Sequence, residues 1–379
     1  MTKFIPLSVP NLKGNEMQYV ADAISQEWVS TGGAYINQME KMVASYVHTP
    51  DAVACQSGTA ALHLSLICCG VQAGDEVIVP TLTFVAAVNP VKYMHAEPVF
   101  MDCDDTLCMD MDKLERFCAE ECEMREGVLM DKSNGKRVSA VVVVHVFGNI
   151  ANMEKLLSLK AKYGFKVIED ATEALGSYIV SGQLAGKFAG TMGDVGAFSF
   201  NGNKIITTGG GGMLVSGNTE LLDKARYLST QAKDDAVYFK HNEIGYNYRM
   251  TNLQAAVGVA QLEQLENFIS VKERNYRKYT ENGIALYPFR SDIRPNYWFY
   301  SYLTEKRDEL ISYLDGNSIQ SRPIWHLIHD LPPYKDARAY CIEKAWYFFD
   351  RVVNVPCSTN LSSDDVDAVS SVIRRFEEA

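Results

Sequence analysis

A lysine followed by a run of glycines is the first feature of this sequence that could do chemistry. Lys204 lies between the apolar run at 198–200 and four consecutive glycines, Gly209 to Gly212. An amine held in such a cleft can lose its proton, attack a carbonyl and form a Schiff base. A surface lysine beside a flexible turn is the alternative. The glycines are not a phosphate loop of the GxxxxGK[ST] kind, because the lysine precedes them.

A carboxylate ends the apolar run at 165–169. Asp170 closes a predicted parallel strand, and ligands of such sheets bind at that end of the strands. A carboxylate placed there can keep a ring nitrogen protonated, because an opposite charge favours the charged form. The alternative is a helix N-cap that follows the strand. A second carboxyl group, Glu173, lies three residues further on.

Two more segments suit a flat, phosphorylated ligand. Gly58 lets the chain turn tightly from a strand into a helix, where Ser57, Thr59 and the first helical N–H groups suit a phosphate dianion. An N-cap without a ligand is the alternative there. Phe84 follows the next predicted strand and can either stack on a ring or pack in the core.

Alternating elements must position these residues. Between about residues 52 and 216, short apolar runs alternate with helical patterns, which indicates βαβ units and a mostly parallel sheet covered by helices on both faces. An amphipathic helix is predicted at 153–163. The predicted strands are 53–55, 76–80, 98–102, 139–146 and 165–170.

The second half of the chain has a different pattern. Residues 250–282 carry one long helical pattern that Gly283 ends. A terminal helix is predicted near 364–376, and the Asn134-Gly135 pair predicts a hairpin across 128–138. We place the boundary at the long helix, giving a large domain of residues 1–250 and a small C-terminal domain of residues 251–379.

Composition narrows the function classes. The formal net charge of -11 argues against nucleic acid, which requires a basic face, and no apolar run approaches the ~20 residues of a membrane span. The nine scattered cysteines are expected to be buried and reduced, and they are too dispersed for a metal site. Because no signal segment opens the chain, we expect a cytoplasmic protein.

Taken in order, the phosphate turn, the aromatic residue, Asp170 and Lys204 resemble the DegT/DnrJ/EryC1/StrS sugar aminotransferases, which are fold type I enzymes that use pyridoxal 5'-phosphate (PLP). The likeness runs essentially end to end. It includes the segments 27–32, 245–252 and 322–325, followed by His329 and Tyr334. The resemblance implies an α/β fold with a mostly parallel sheet sandwiched by helices, plus a smaller C-terminal α+β domain.

The resemblance also implies roles for single residues. Lys204 would hold PLP and shuttle the proton, and Asp170 would pair with the ring nitrogen. Phe84 would stack on the ring, and Asn247 would reach the cofactor phosphate of the partner subunit in a homodimer with shared active sites. Residues implied for the phosphate are Ser57, Gly58, Thr59 and Ser199. Those implied for the sugar or nucleotide are Trp28, Thr31, Arg322, Trp325 and His329, of which the last three could instead be a surface ion pair, core and a satisfied histidine.

Glu173 departs from the family pattern. Many members have Gln or His at this position, to bond the phenolic oxygen of PLP, whereas an ionised Glu cannot donate a hydrogen bond to it. Glu173 is therefore expected either to be partly protonated or to act as a second base toward the sugar.

The implied reaction moves an amino group from glutamate to a nucleotide-linked keto sugar, with pyridoxamine phosphate as the intermediate form of the cofactor. The SNGK turn, the segment 202–212 and the segment 231–235 resemble one branch of the family. That branch acts on the 4-keto group of UDP- or GDP-linked 2-acetamido-2,6-dideoxyhexoses, toward bacillosamine- or legionaminic-acid-type sugars of surface polysaccharides.

Three other readings stay open. The enzyme could act at C3 or on a different sugar. It could be a sugar dehydratase, although the family dehydratases carry histidine in place of Lys204. It could also be a PLP-binding regulator without catalysis, although no basic helix-turn-helix segment is found here.

Overall fold

The computed structural model describes residues 3–235 and 237–378. The α-helices are α1 Glu16–Ser25, α2 Ala34–Val47, α3 Gly58–Cys68, α4 Asn89–Tyr93, α5 Met111–Arg116, α6 Met153–Tyr163, α7 Thr219–Ser229, α8 Asn252–Leu262, α9 Leu265–Glu281, α10 Arg307–Gly316, α11 Lys344–Arg351 and α12 Ser363–Glu377. The strands are β1 Asp51–Cys55, β2 Glu76–Pro80, β3 Glu97–Met101, β4 Cys122–Arg125, β5 Val128–Asp131, β6 Val138–Val144, β7 Lys166–Asp170, β8 Tyr178–Ile179, β9 Val195–Ser199, β10 Gly212–Ser216, β11 Lys233–Asp235, β12 Lys240–His241, β13 Ile293–Arg294, β14 Tyr300–Leu303, β15 Arg322–Pro323, β16 Ala339–Tyr340 and β17 Val352–Val355.

An eight-stranded sheet lies at the centre, in the order β1-β10-β9-β7-β6-β2-β3-β16. Strand β10 is antiparallel to both of its neighbours, and the other strands run parallel to one another. All seven residues of β6 are buried, as expected of a strand covered on both faces. The predicted α/β fold with a mostly parallel sheet is confirmed.

The sheet topology places the predicted site residues at one edge. Strands β1, β2, β7 and β9 run in the same direction, so their carboxyl ends meet at that edge. Asp170 is the last residue of β7, Ser199 is the last of β9, and Ser57 follows β1 closely. The five predicted strands and the predicted helix at 153–163 are all present, with ends shifted by at most a few residues.

Two local predictions need correction. The long helix at 250–282 is two helices, α8 and α9, separated at Glu263 and Gln264. The predicted 128–138 hairpin is only a turn closed by a bridge between Met130 and Arg137, whereas the paired hairpin is β4–β5. The turn of that hairpin is Glu126-Gly127, which has positive φ at both residues, the geometry that fits the twist of two-residue hairpins.

The C-terminal part of the chain forms a three-stranded antiparallel sheet, β14-β17-β15, packed with helices α10 and α12. It also contributes β16 to the edge of the central sheet. A buried carboxylate, Asp102, fixes this connection. It accepts hydrogen bonds from Lys113 Nζ (2.7 Å) and from three backbone N–H groups at residues 343–345, where α11 begins. The division into domains at residue 250 remains a prediction.

The nine cysteines are all free, and seven of them are buried; Cys68 is half-buried and Cys341 is exposed. Among the described residues, no helix combines the length and the apolar character needed to cross a membrane.

Candidate active site

A cavity of about 360 Å³ opens at the carboxyl edge of the central sheet. It gathers residues from the ends of β1, β2, β7 and β9 and from the C-terminal part of the chain. Of the residues predicted from sequence, it is lined by Ser57, Gly58, Thr59, Phe84, Asp170, Glu173, Ser199, Lys204 and Trp325. The separate sequence signals therefore converge on one place.

The start of helix α3 forms one end of the cavity. Ser57 caps this helix, because its Oγ accepts a hydrogen bond from the N–H of Ala60 at 3.0 Å. A Cβ atom on Gly58 would lie 2.8 Å from Cβ of Ser199 and 3.2 Å from Cγ2 of Thr172, so only glycine fits between them. The first turn of α3 contains no acidic side chain, and its N–H groups carry the positive end of the helix dipole. This end of the cavity suits a phosphate group.

Lys204 is not the surface lysine of the alternative reading. Its side chain is only 12% exposed. The Nζ atom lies 3.7 Å from Oε1 of Glu173 and 4.1 Å above the centre of the Trp298 ring. The amine therefore lies inside the cavity, next to a carboxyl group and an aromatic face.

Asp170 is buried at the end of β7. Its Oδ1 accepts a hydrogen bond from the N–H of Thr172 at 3.1 Å, and a turn rather than a helix follows, so the N-cap alternative is wrong. Burial raises the pKa of this carboxyl group, and the hydrogen bonds from Thr172 and the charge of Lys204 oppose the rise. A cation placed beside Asp170 would favour the carboxylate further.

Glu173 is buried beside Lys204 and fixed from two sides. Its Oε2 accepts a hydrogen bond from the N–H of Phe147 at 2.9 Å, and its carbonyl oxygen accepts one from Nδ2 of Asn296 at 2.9 Å. Burial raises the pKa of Glu173 to about 7, against the lowering effects of Lys204 and the Phe147 N–H. Near neutral pH this carboxyl group can therefore either hold or release a proton.

An aromatic wall, formed by Trp298, Phe299 and Trp325, lines part of the cavity, and sequence reasoning missed the first two of these residues. Trp298 and Phe299 stack on each other with ring centres 4.1 Å apart, and Phe147 packs on Trp325 at 4.7 Å. The indole N–H of Trp298 donates to the carbonyl oxygen of Asn203 at 2.7 Å. The aromatic run at 297–300 was a possible signal, but its distance along the chain from Lys204 gave no reason to place it here.

Phe84 lines the cavity from the segment after β2. Its side chain is 53% exposed, so the alternative of a core residue is wrong. A half-exposed ring at the mouth of a cavity is available to stack on a flat ligand.

The other predicted residues lie outside the cavity of this chain. Trp28, Thr31, Asn247 and Arg322 are exposed. His329 is half-buried, and its Nδ1 lies 2.6 Å from Oγ1 of Thr81 in a hydrogen bond.

The residues present fit the PLP that the sequence resemblance implies. The amine of Lys204 lies inside the cavity, and a buried carboxyl group, Asp170, lies within range of its charge. The start of α3 at Gly58 lines the cavity and has no acidic side chain in its first turn. PLP requires an amine for attachment, a carboxylate for its ring nitrogen and a site for its phosphate.

The chain is similar to known proteins over nearly its whole length. A family model described as the DegT/DnrJ/EryC1/StrS aminotransferase family matches residues 10–374. The GDP-perosamine synthase of Escherichia coli O157:H7 is 36% identical over 383 residues, which are 99% of each chain. The UDP-N-acetyl-3-dehydro-alpha-D-glucosamine 3-aminotransferase of Acidithiobacillus ferrooxidans is 30% identical over 89% of this chain and 87% of its own. A solved DegT DnrJ EryC1 StrS aminotransferase from Brucella abortus superposes with a TM-score of 0.88 at 26% identity, covering 96% of each chain.

The raised pKa of Glu173 predicts a pH-dependent stability difference. In the folded protein this pKa is about 7, against an ordinary value of 4.5, so the folded state holds an extra proton between those pH values. Wild-type protein therefore loses stability as the pH rises through that window, and Glu173→Gln removes this loss. We expect the free energy of unfolding of the variant, relative to that of wild type, to increase by on the order of 2 kcal/mol from about pH 5 to pH 8.

Thermal unfolding of both proteins across this pH range measures the difference. Glu309→Gln, on the exposed face of α10, is the control because it makes the same change of side chain outside the cavity. A difference for Glu173→Gln that varies with pH no more than that of the control would contradict the raised pKa of Glu173.

Proposed function

Because the chain belongs to the DegT/DnrJ/EryC1/StrS aminotransferase family, we propose that it transfers the amino group of glutamate to the C4 ketone of a nucleotide-linked sugar. The enzyme is a PLP-dependent nucleotide-sugar aminotransferase. The proposed acceptor is a UDP- or GDP-linked 2-acetamido-2,6-dideoxy-4-keto-hexose. When bound, PLP supplies an electron sink that lets an amino group leave one carbon atom and later join another.

The observation that carries the proposal is the meeting of three groups in one cavity: an amine, a buried carboxyl group and the start of helix α3. We propose that Lys204 attaches the cofactor and, in each half-reaction, moves the proton between the substrate carbon and the cofactor carbon that are joined through the transferred nitrogen. Ser57, Gly58, Thr59 and Ser199 would bind the phosphate, mainly through hydrogen bonds at the start of α3. Phe84, at the mouth, would stack on the ring.

The two carboxyl groups have different proposed roles. Asp170 would pair with the ring nitrogen and keep it protonated, because a carboxylate in this poorly solvated place favours a nearby cation. Glu173 would act as an acid–base group beside Lys204. Its Oε1 lies 3.7 Å from the amine, and its pKa, raised by burial to about 7, lets it exchange a proton near neutral pH.

We propose that the sugar and its nucleotide bind between the aromatic wall and the residues around the mouth. Trp325 already lines the cavity, and His329 is fixed through Thr81 after β2. Arg322 is exposed and can offer its charge to the nucleotide phosphates. Trp28 and Thr31 lie on an exposed segment whose Trp28 carbonyl oxygen accepts a hydrogen bond from Asn252 Nδ2 at 2.7 Å.

The identity of the nucleotide and the position of the ketone on the sugar are the most specific parts of the proposal. The C4 ketone and the acetamido group rest on the branch resemblance, toward bacillosamine- or legionaminic-acid-type sugars. One relative bears a GDP-sugar name and another the name of a UDP-sugar 3-aminotransferase, so transfer at C3 is the competing function. A relative in Bacillus subtilis is a spore coat polysaccharide biosynthesis protein, which supports a product destined for a surface polysaccharide.

Incubation with glutamate and defined acceptors separates these functions. The acceptors are a UDP-linked 2-acetamido 4-keto sugar, a GDP-linked 4-keto sugar and a UDP-linked 2-acetamido 3-keto sugar. We expect the mass of an amino sugar from one of the 4-keto acceptors and not from the 3-keto acceptor. Product formed only from the 3-keto acceptor would contradict transfer at C4.

Asp170→Asn tests the pairing with the ring nitrogen. A neutral amide no longer favours the protonated ring, so turnover should fall roughly a hundredfold or more while PLP stays bound. The absorption spectrum reports the bound cofactor and product mass reports turnover. Asp223→Asn, at an exposed position of α7, should keep wild-type turnover. A loss smaller than about tenfold in Asp170→Asn would reject this role.

We also propose a homodimer in which Asn247 of one chain reaches the cofactor phosphate of the other. Its exposure and its absence from the lining of this chain's own cavity support the proposal. Under it, Lys204→Ala and Asn247→Asp should each be nearly inactive alone, the second because a negative charge would face the phosphate.

Co-expression of the two variants distinguishes shared from separate sites. In a heterodimer both lesions fall in one site and the other site is intact, so about half of the dimers and about a quarter of all sites should work. If both residues came from the same chain, every site would carry a lesion. Recovery near zero, with heterodimers confirmed by mass, would therefore contradict the shared site.

A further inference from the structure

The amine of Lys204 lies between an aromatic face and a carboxyl group. It is 4.1 Å above the centre of the Trp298 ring and 3.7 Å from Oε1 of Glu173. An aromatic face and a carboxylate both attract an ammonium group, and both interactions strengthen where water is scarce. The side chain is only 12% exposed, so this condition is met.

Trp298 is held rigidly enough to define that position. Its indole N–H donates to the carbonyl oxygen of Asn203, the residue before Lys204, at 2.7 Å. Its own carbonyl oxygen accepts a hydrogen bond from Nζ of Lys272 at 3.0 Å. The ring of Phe299 stacks behind it, inclined by only 9°. The ring is therefore tied by a hydrogen bond to the loop that carries Lys204.

Glu173 is fixed to a similar degree. Its Oε2 is engaged by the N–H of Phe147, which leaves Oε1 directed toward the amine. Phe147 has a positive φ of 56°, an unusual conformation for a residue other than glycine, and it is this backbone position that presents the N–H to Glu173.

We propose that Trp298 and Glu173 form a resting site for the Lys204 amine, which holds it as an ammonium group in the resting pyridoxamine phosphate form of the enzyme, before it takes part in proton transfer. The inference rests on the proposed function of Lys204 and adds a positioning residue, Trp298. An aminotransferase needs such a site, because its lysine is released while the amino group is carried by the cofactor and must then return to the same carbon atom.

Other charged groups near the amine also influence its protonation. Asp170 lies in the same cavity and adds a second negative charge within range of Lys204. Lys272 approaches from the opposite side, where it shares a small cavity with the stem of Lys204, and burial lowers the pKa of Lys272. The contribution of Trp298 must therefore be measured as a difference between variants that keep these groups.

The test uses the full-length enzyme loaded with pyridoxamine phosphate, the form in which the lysine is free. Brief acetylation with acetic anhydride across a pH series, followed by mass analysis of the Lys204 peptide, gives the pH midpoint at which this amine becomes reactive. Removing the ring in Trp298→Leu should lower that midpoint by about one pH unit, which is about a tenfold rise in reactive amine at neutral pH. Trp298→Phe keeps an aromatic face and should shift less than half as far.

Two further variants sharpen the result. Tyr313→Leu removes an exposed ring of α10 that packs on Phe376 and does not line the cavity, and its midpoint should match wild type. Glu173→Gln should lower the midpoint, which keeps the test decisive if Trp298→Leu fails to fold. An unchanged midpoint in Trp298→Leu, or equal shifts in the Leu and Phe variants, would overturn the resting site.

The same labelling separates this inference from the function on which it rests. In wild-type enzyme loaded with PLP, Lys204 should be protected from acetylation because it is attached to the cofactor. Equal labelling of Lys204 in the PLP and pyridoxamine phosphate forms would reject the proposed role of the lysine itself. Protection with no shift in Trp298→Leu would reject only the resting site.

Discussion

The site depends on burying two carboxyl groups beside one amine. Burial raises the pKa values of Asp170 and Glu173, and the charge of Lys204 opposes both increases. Burying either the carboxylates or the ammonium group without the other would be unfavourable, because an unpaired charge in a poorly solvated place costs several kcal/mol. Glu173, whose pKa is raised to about 7, can thereby hold a proton near neutral pH that it would not hold in water, as a proton-transferring enzyme requires.

The parallel sheet makes this arrangement possible. Its strands end at one edge, so residues distant in sequence meet there without long loops. The close approach of Gly58 to Ser199 brings the ends of β1 and β9 together at the start of α3. The antiparallel strand β10 lies between those two strands, and it follows Lys204 along the chain. The fold therefore fixes the distance between the phosphate end of the cavity and the amine.

The sequence predicted those strands and helices that have a clear local pattern of apolar residues. Buried strands such as β6 and the helix at 153–163 are visible as apolar runs and helical spacing, and the side chains at their ends follow from topology. Sequence reasoning missed the break between α8 and α9, because the two residues there, Glu263 and Gln264, are neither glycine nor proline and so do not signal the end of a helix. It also missed Trp298, because only tertiary packing brings that ring to Lys204, and it placed the hairpin at Asn134-Gly135 although the paired strands turn at Glu126-Gly127.

The central claim is that Lys204, and no other lysine, attaches the cofactor. Lys272 is the main alternative attachment site, because it is buried and shares a small cavity with Lys204. Reducing the PLP-loaded enzyme with borohydride makes the attachment permanent, and digestion with peptide mass analysis then locates it. The account predicts the phosphopyridoxyl mass on the peptide that contains Lys204 alone. The same mass on the Lys272 peptide, or on any peptide without Lys204, would contradict it.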